Sequence, residues 1–308
     1  MKAYRYRLSL KSPLGTPLRS DTLTGQLLWA AAMYEGDSAV TELIEQFENG
    51  TPPFIVSSGF PYNMLPMPVL PPQKRIKSTQ EGNYNDMASA KQFKKMKWLS
   101  LDAWDQCRQN LNVNQLFEYW YKQPNAFSDK GFEPVIEPHN TIDRRSNTVL
   151  EGGLFFSESL VHESTNTFDI YVQTEDVERF EYYLDFVSKH GYGRDSSVGR
   201  GHFQYERDEK DVSWLFDSSG THSLMLSVFS ASNLDGVQGY YKPFVKRGRV
   251  WGGIGGDTPF KKPILAFEEG SIFSSLPSSG YVLRNIHVDN RVVQIMWPLG
   301  LACTIKEA

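Results

Sequence analysis

The sequence predicts an α+β fold made of two related domains, and three observations carry that expectation. Residues 3–11 alternate strictly between apolar and polar side chains. Strand and helix periods then follow in the order β-α-β and again β-α-β up to about residue 207. From about 208 a second set of strands begins, and 308 residues are enough for two cores of ordinary size.

In AYRYRLSLK, residues 3–11, Tyr4, Tyr6, Leu8 and Leu10 share one face and Arg5, Arg7, Ser9 and Lys11 the other. Period two means a strand with one buried face, and here the opposite face is basic. A loop over Ser12–Ser20 leads into LTGQLLWAAAMYEG, a helix that Asp21 or Thr22 can cap and Gly36 can end. Residues 38–49 form a second amphipathic helix, acidic outside, and PFIVS (53–57) a short strand. Five prolines make 61–72 an irregular crossing. An insertion over 73–131 holds a basic polar loop and helical patches near 87–98 and 112–121. Strands are expected at 132–138, 153–161 and 167–173. Thr174 can cap the next helix, whose Val177, Phe180, Tyr183, Leu184 and Val187 lie on one face, and Gly191 ends it before a strand at 202–206. With the insertion set aside, this is the ferredoxin-like order, whose four-stranded sheet is also that of RNA-recognition motifs.

Net charge is −4, which by itself argues against a nucleic-acid partner, but the charges are segregated. Residues 1–20 hold Lys2, Arg5, Arg7, Lys11 and Arg19 and no acid. Residues 242–262 hold Lys242, Lys246, Arg247, Arg249, Lys261 and Lys262 against Asp257 alone. Conversely, 35–48 carries five acids without a base, and 151–185 nine acids against Arg179. One face can meet phosphate and another a basic protein. No run of 18 apolar residues exists, so no membrane span is expected. The alternating N-terminus does not read as a secretion signal, and two distant cysteines fit a reducing cytoplasm.

The segment GYGRDSSVGRG, 191–201, is the best binding candidate. Gly191, Gly193, Gly199 and Gly201 let backbone amides approach a ligand, Ser196 and Ser197 add hydroxyls, and Arg194 and Arg200 add charge. It matches neither a nucleoside-triphosphate loop nor a dinucleotide fingerprint. A second glycine cluster, Trp251–Asp257, is flanked by Lys246, Arg249, Lys261 and Lys262. The segment 137–148, with Arg144 and Arg145, reads as a hairpin that reaches over a strand of nucleic acid. No histidine or cysteine pattern signals catalysis, a metal site or a cofactor. Asp21 suits an N-cap better than a cleavage acid.

Four stretches carry a family resemblance: SPLGTPLRSDTLTGQLLW (Ser12–Trp29), the Pro-rich 65–72, GYGRDSSVGRGHF and PFKKPILAFEEGSIF. Together they resemble the RAMP superfamily, and within it the fourth subunit of type III-A CRISPR effector (Csm) complexes. The resemblance implies two ferredoxin-like domains, 1–207 and 208–308, with a thumb hairpin near 137–148. It implies a subunit that grips the 5′ handle of crRNA and joins a large polymerase-like subunit to the backbone RAMP subunits, meeting target RNA only indirectly. No catalytic residue carries over. The cations Arg19, Arg194, Arg200, Lys246, Arg249 and Lys262, with Ser20 and Lys261 beside them, would hold phosphates. Tyr192 and His139 would stack on splayed bases. Two rival readings are a metal-independent crRNA-processing endoribonuclease and a purely protein-bridging subunit.

Overall fold

A computed structural model describes residues 1–71, 84–216, 219–250, 258–277 and 279–306. Strand β1 (Lys2–Leu10) alternates as its sequence requires: Tyr6 and Leu8 are buried against helices, with Tyr4 and Leu10 partly so. Helices α1 (Ser20–Glu35) and α2 (Asp37–Glu48) part at Gly36, whose φ of 88° ends the first as expected. The cap does not form as expected. Arg19 occupies the N-cap position of α1 without a side-chain hydrogen bond, and Asp21 turns inward to a lysine. Strand β2 (Phe54–Val56) follows.

The proline-rich crossing holds two short strands, β3 (Phe60–Pro61) and β4 (Met64–Pro66). The insertion contributes α3 (Tyr84–Phe93), β5 (Trp98–Ser100), α4 (Leu101–Cys107), α5 (Val113–Lys122) and β6 (Phe127–Ser128). Ser100 and Asn112 cap α4 and α5 through their side chains. Next comes one long hairpin, β7 (Phe132–Asp143) paired with β8 (Thr148–His162). It is followed by β9 (Thr167–Thr174), α6 (Val177–His190) and β10 (Phe203–Arg207). Asp176 caps α6; the Thr174 hydroxyl accepts the Asp176 N–H instead, two residues early.

These strands form an antiparallel sheet in the order β10-β1-β9-β2, with β3 also on β9. Set the insertion and hairpin aside, and the β-α-β, β-α-β succession read from the sequence is present. Helices α1, α2 and α6 cover one face through Leu23, Leu27, Leu43, Phe47, Phe180 and Leu184.

After α7 (Ser213–Phe216) come β11 (His222–Met225), β12 (Gln238–Tyr240), β13 (Pro243–Lys246), β14 (Ile264–Phe267), β15 (Ile272–Ser275), β16 (Val282–Leu283), β17 (Gln294–Ile295) and β18 (Gly300–Cys303). Their main sheet runs β12-β15-β11-β18, so both sheets place their strands fourth, first, third and second, read from opposite edges. No helix occurs among the described residues of 219–306, so the second half departs from a full β-α-β repeat. Its connections lack a helical apolar period, and the two-stranded ribbon β16–β17 occupies the connection between the third and fourth strands of this sheet, where the second helix would come.

The second face of the first sheet is covered as well. Tyr171, with Ala3 and Ile55, joins Trp104 and Leu116 of the insertion and Leu224, Leu226, Ile272 and Leu301 of the second half in one apolar cluster. The part of this face around Tyr171 is therefore closed to RNA, and two arginines of β1 are drawn into pairs within the chain. Arg5 is 6% exposed and donates to Asp169 Oδ2 at 2.7 Å, with Asp208 at 3.5 Å. Arg7 lies 4.3 Å over the Tyr62 ring and 3.8 Å from Glu206. The alternation was read correctly, but acids from neighbouring segments neutralise its polar face.

Arg5→Ala would leave the buried Asp169 without its cation. It should lower unfolding free energy by about 3–5 kcal/mol, read as a fall in urea midpoint at neutral pH.

Candidate nucleic-acid interface

The loop Ser12–Arg19 runs as a strap between the glycine-rich segment, the hairpin and the second half. Its backbone exchanges two hydrogen bonds with β8, Leu14 N–H to the Leu160 carbonyl at 3.1 Å and the reverse at 2.7 Å. Pro13 accepts the Gly201 N–H at 2.9 Å. The Tyr192 hydroxyl donates to the Pro17 carbonyl at 2.8 Å and accepts the Arg19 N–H at 2.9 Å. Ser20, also buried, accepts the Val228 N–H at 2.9 Å and donates its own N–H to Ser58 Oγ.

This geometry changes the meaning of several residues singled out above. Tyr192 has no exposed surface, and its ring belongs to the first core, so it cannot stack on a base. A Cβ on Gly201 would sit 2.0 Å from the Tyr192 carbonyl oxygen, and one on Gly193 2.1 Å from Thr16 Oγ1. These glycines serve close packing of the chain on itself. Arg200 is buried too, donating at 2.7 Å to Glu137 and to Ser157 Oγ, and so ties the loop to the hairpin. What the segment offers outward is its tip. Ser197, Val198 and Gly199 are exposed, and Ser196 is half-buried. Arg194 is 46% exposed while holding Asp195 and the Glu158 carbonyl.

The hairpin presents two chemically different faces, because partners alternate along paired strands. Glu137, His139, Phe155 and Ser157 share the face turned to Arg200. His139 accepts or donates a 2.8 Å bond with Ser157 and stacks on Phe155, ring centroids 5.3 Å apart. Ile136, Pro138, Leu154 and Phe156 lie on the other face, all exposed. Arg144 and Arg145 occupy the turn, in the open; Asp143 accepts the Arg145 N–H and Asn147 takes a φ of 55°.

The third group lies at the ribbon β13–β14. Lys246 Nζ is ion-paired with buried Asp21 and donates to Thr22 Oγ1 at 3.0 Å. Gln294 also donates to Asp21, at 3.2 Å, and accepts from Lys261 Nζ at 2.7 Å. Lys246 and Lys261 are thus engaged internally. Burial, and then the Lys246 charge, push the Lys261 ammonium down to about 8 despite Asp21. Arg19 lies 4.3 Å over the Phe244 ring and 3.7 Å from Glu268. Arg249, over Phe260 at 5.2 Å, and Lys262 remain exposed. The glycine cluster Trp251–Asp257 lies outside the described residues. Among the described residues no group of His, Cys, Asp and Glu could hold a metal ion. No described helix is long and apolar enough to cross a membrane.

Sequence reasoning missed Gln26, which grips the Gly191 carbonyl (3.3 Å) and the Gly193 N–H (3.2 Å) from α1. It also missed Glu137 as the partner of Arg200. Neither has a local signal, since each partner lies more than sixty residues away along the chain.

No protein-family model matches the sequence, and neither does any curated protein. Solved structures do. The Csm4 chain of a Csm1–Csm4 cassette in complex with cA4 superposes with a TM-score of 0.58 at 18% identity, over 99% of this chain and 100% of that one. That of a Csm3–Csm4 subcomplex of the type III-A CRISPR–Cas interference complex gives 0.57 at 15% identity, over 97% and 98%. The chain has the fold of these Csm4 subunits from end to end.

Two outcomes follow from the geometry. Tyr192→Phe removes the hydroxyl's bonds to the Arg19 N–H and the Pro17 carbonyl, leaving the Arg19 N–H its 2.9 Å contact with the Pro17 carbonyl. It should cost about 0.5–1.5 kcal/mol per lost bond in a denaturant melt. Lys261 sheds its proton near pH 8 when folded and near 10.5 when unfolded, so the unfolded chain binds more protons between those values. Its contribution to stability therefore rises with pH across that window. Urea midpoints of Lys261→Met, compared with the parent from pH 7.5 to 10.5, should lose that part of the rise.

Proposed function

We propose that the chain is a non-catalytic, RNA-binding scaffold subunit of a type III-A CRISPR effector complex in the cytoplasm. It grips the 5′ handle of crRNA, links a large polymerase-like subunit to the backbone RAMP subunits, and meets target RNA only through that assembly. The observation that carries this reading is the likeness to Csm4 chains over essentially the whole of both chains. Csm1 and Csm3 are the companions of Csm4 in those structures, and the corresponding subunits are the partners proposed here.

In this reading the grip is divided between the hairpin and the glycine-rich tip. Exposed Arg144, Arg145, Arg194, Arg249 and Lys262 meet phosphates, and the tip of 197–199 lets the backbone come close. The His139–Phe155 stack is the place for a splayed base, since both rings are exposed and already parallel. The internally paired Arg5, Arg200 and Lys246 are framework. The hairpin is the thumb of this reading, longer than the expected 137–148.

Anisotropy with handle and scrambled RNA across salt tests the division. Arg144→Ala/Arg145→Ala should weaken both RNAs and lower the slope of log K against log salt by about 1.4, the value for two phosphate contacts on a single strand. His139→Ala should cost the handle about 1–3 kcal/mol and the scrambled RNA less. Equal losses on both would refute handle-specific recognition at His139.

A further inference from the structure

The hairpin face turned to the glycine-rich segment carries a row of polar groups whose protons can be counted. Glu137 stands directly opposite Ser157 in the strand register, and His139 opposite Phe155. His139 is therefore the diagonal neighbour of Ser157, within reach on the same face. Buried Arg200 closes the row from the loop. Its Nη2 has two protons and commits both, one to Glu137 Oε2 and one to Ser157 Oγ, each at 2.7 Å. Ser157 thus accepts from a guanidinium, which cannot accept in return. Among the described residues, the serine's own proton has one acceptor, His139 Nε2 at 2.8 Å.

A hydroxyl that receives a charge-assisted bond is polarised toward donation, so the row runs one way, from Arg200 through Ser157 to His139. A neutral imidazole that accepts at Nε2 carries its proton on Nδ1. Among the described residues no group bonds to His139 Nδ1, and the ring is exposed. The ring is also held nearly parallel to Phe155, with planes 17° apart. Its free edge therefore points a donor in a fixed direction beside the aromatic surface.

We propose that Ser157 is a positioning residue that holds His139 as the Nδ1–H tautomer, so that RNA lying on the His139–Phe155 stack meets a hydrogen-bond donor at the ring edge. The ligand in this statement rests on the RNA-binding reading; the tautomer does not. The test uses the full chain with isotope-labelled histidine nitrogens at about pH 8.5, above the ordinary histidine range. Ring nitrogen–proton correlations should place the His139 proton on Nδ1, the signal being identified by its loss in His139→Ala. Ser157→Ala should move the proton wholly or partly to Nε2, and Ser157→Thr should return it. Handle RNA should bind Ser157→Ala about three- to tenfold more weakly, as for one lost hydrogen bond, and recover in Ser157→Thr. A proton on Nε2 in the parent, or a tautomer unchanged in Ser157→Ala, would overturn the proposal. So would parental handle affinity in Ser157→Ala when His139→Ala binds weakly. If the tautomer behaves as expected and His139→Ala binds the handle like the parent, the RNA reading of the stack fails instead, and the donor's use with it.

Discussion

The hydroxyl of Tyr192 is the point on which the arrangement turns. It accepts the Arg19 N–H and donates to the Pro17 carbonyl from a ring with no exposed surface. Because the ring is part of the first core, the strap Ser12–Arg19 is anchored to that core. The hairpin, the glycine-rich segment and one edge of the ribbon are tied to that strap. The hairpin pairs with it at Leu14, the glycine-rich segment closes on Pro13 and Thr16, and Arg19 reaches the ribbon at Phe244. The hydroxyl itself has no exposed surface, so both of its hydrogen bonds must be made to the strap.

Charge is arranged on the same principle. Arg5 with Asp169, Arg200 with Glu137 and Lys246 with Asp21 each join segments distant in sequence. Pairs of this kind add little net stability, but breaking one is costly. They therefore define which segments sit together. What remains for a polyanion is a smaller set of cations on turns and ribbon edges, where solvent and mobility keep them available.

The two faces of the hairpin divide its work. Its loop-facing side carries polar and aromatic groups tied to Arg200, and its outer side carries Ile136, Leu154 and Phe156 in the open. A two-stranded ribbon exposed on both faces is weakly stable alone. Its base is held by the strap through Leu14 and Leu160.

The sequence by itself determined the local elements. The alternation of residues 3–11, the end of α1 at Gly36, the apolar stripe of α6 with its end at Gly191, and the presence of a hairpin near 137–148 all stand. Each rests on period or on a positive φ, which a few neighbouring residues specify. Its charge segregation and its four glycines looked like a phosphate grip, and only the tertiary structure decided otherwise for Arg5, Tyr192, Arg200, Gly193 and Gly201. Their partners lie on other elements, and whether an arginine faces phosphate or a buried carboxylate depends on what the fold brings against it. The same holds for the helices missing from the second half, where the strand order persists because sheet pairing, not local period, sets it.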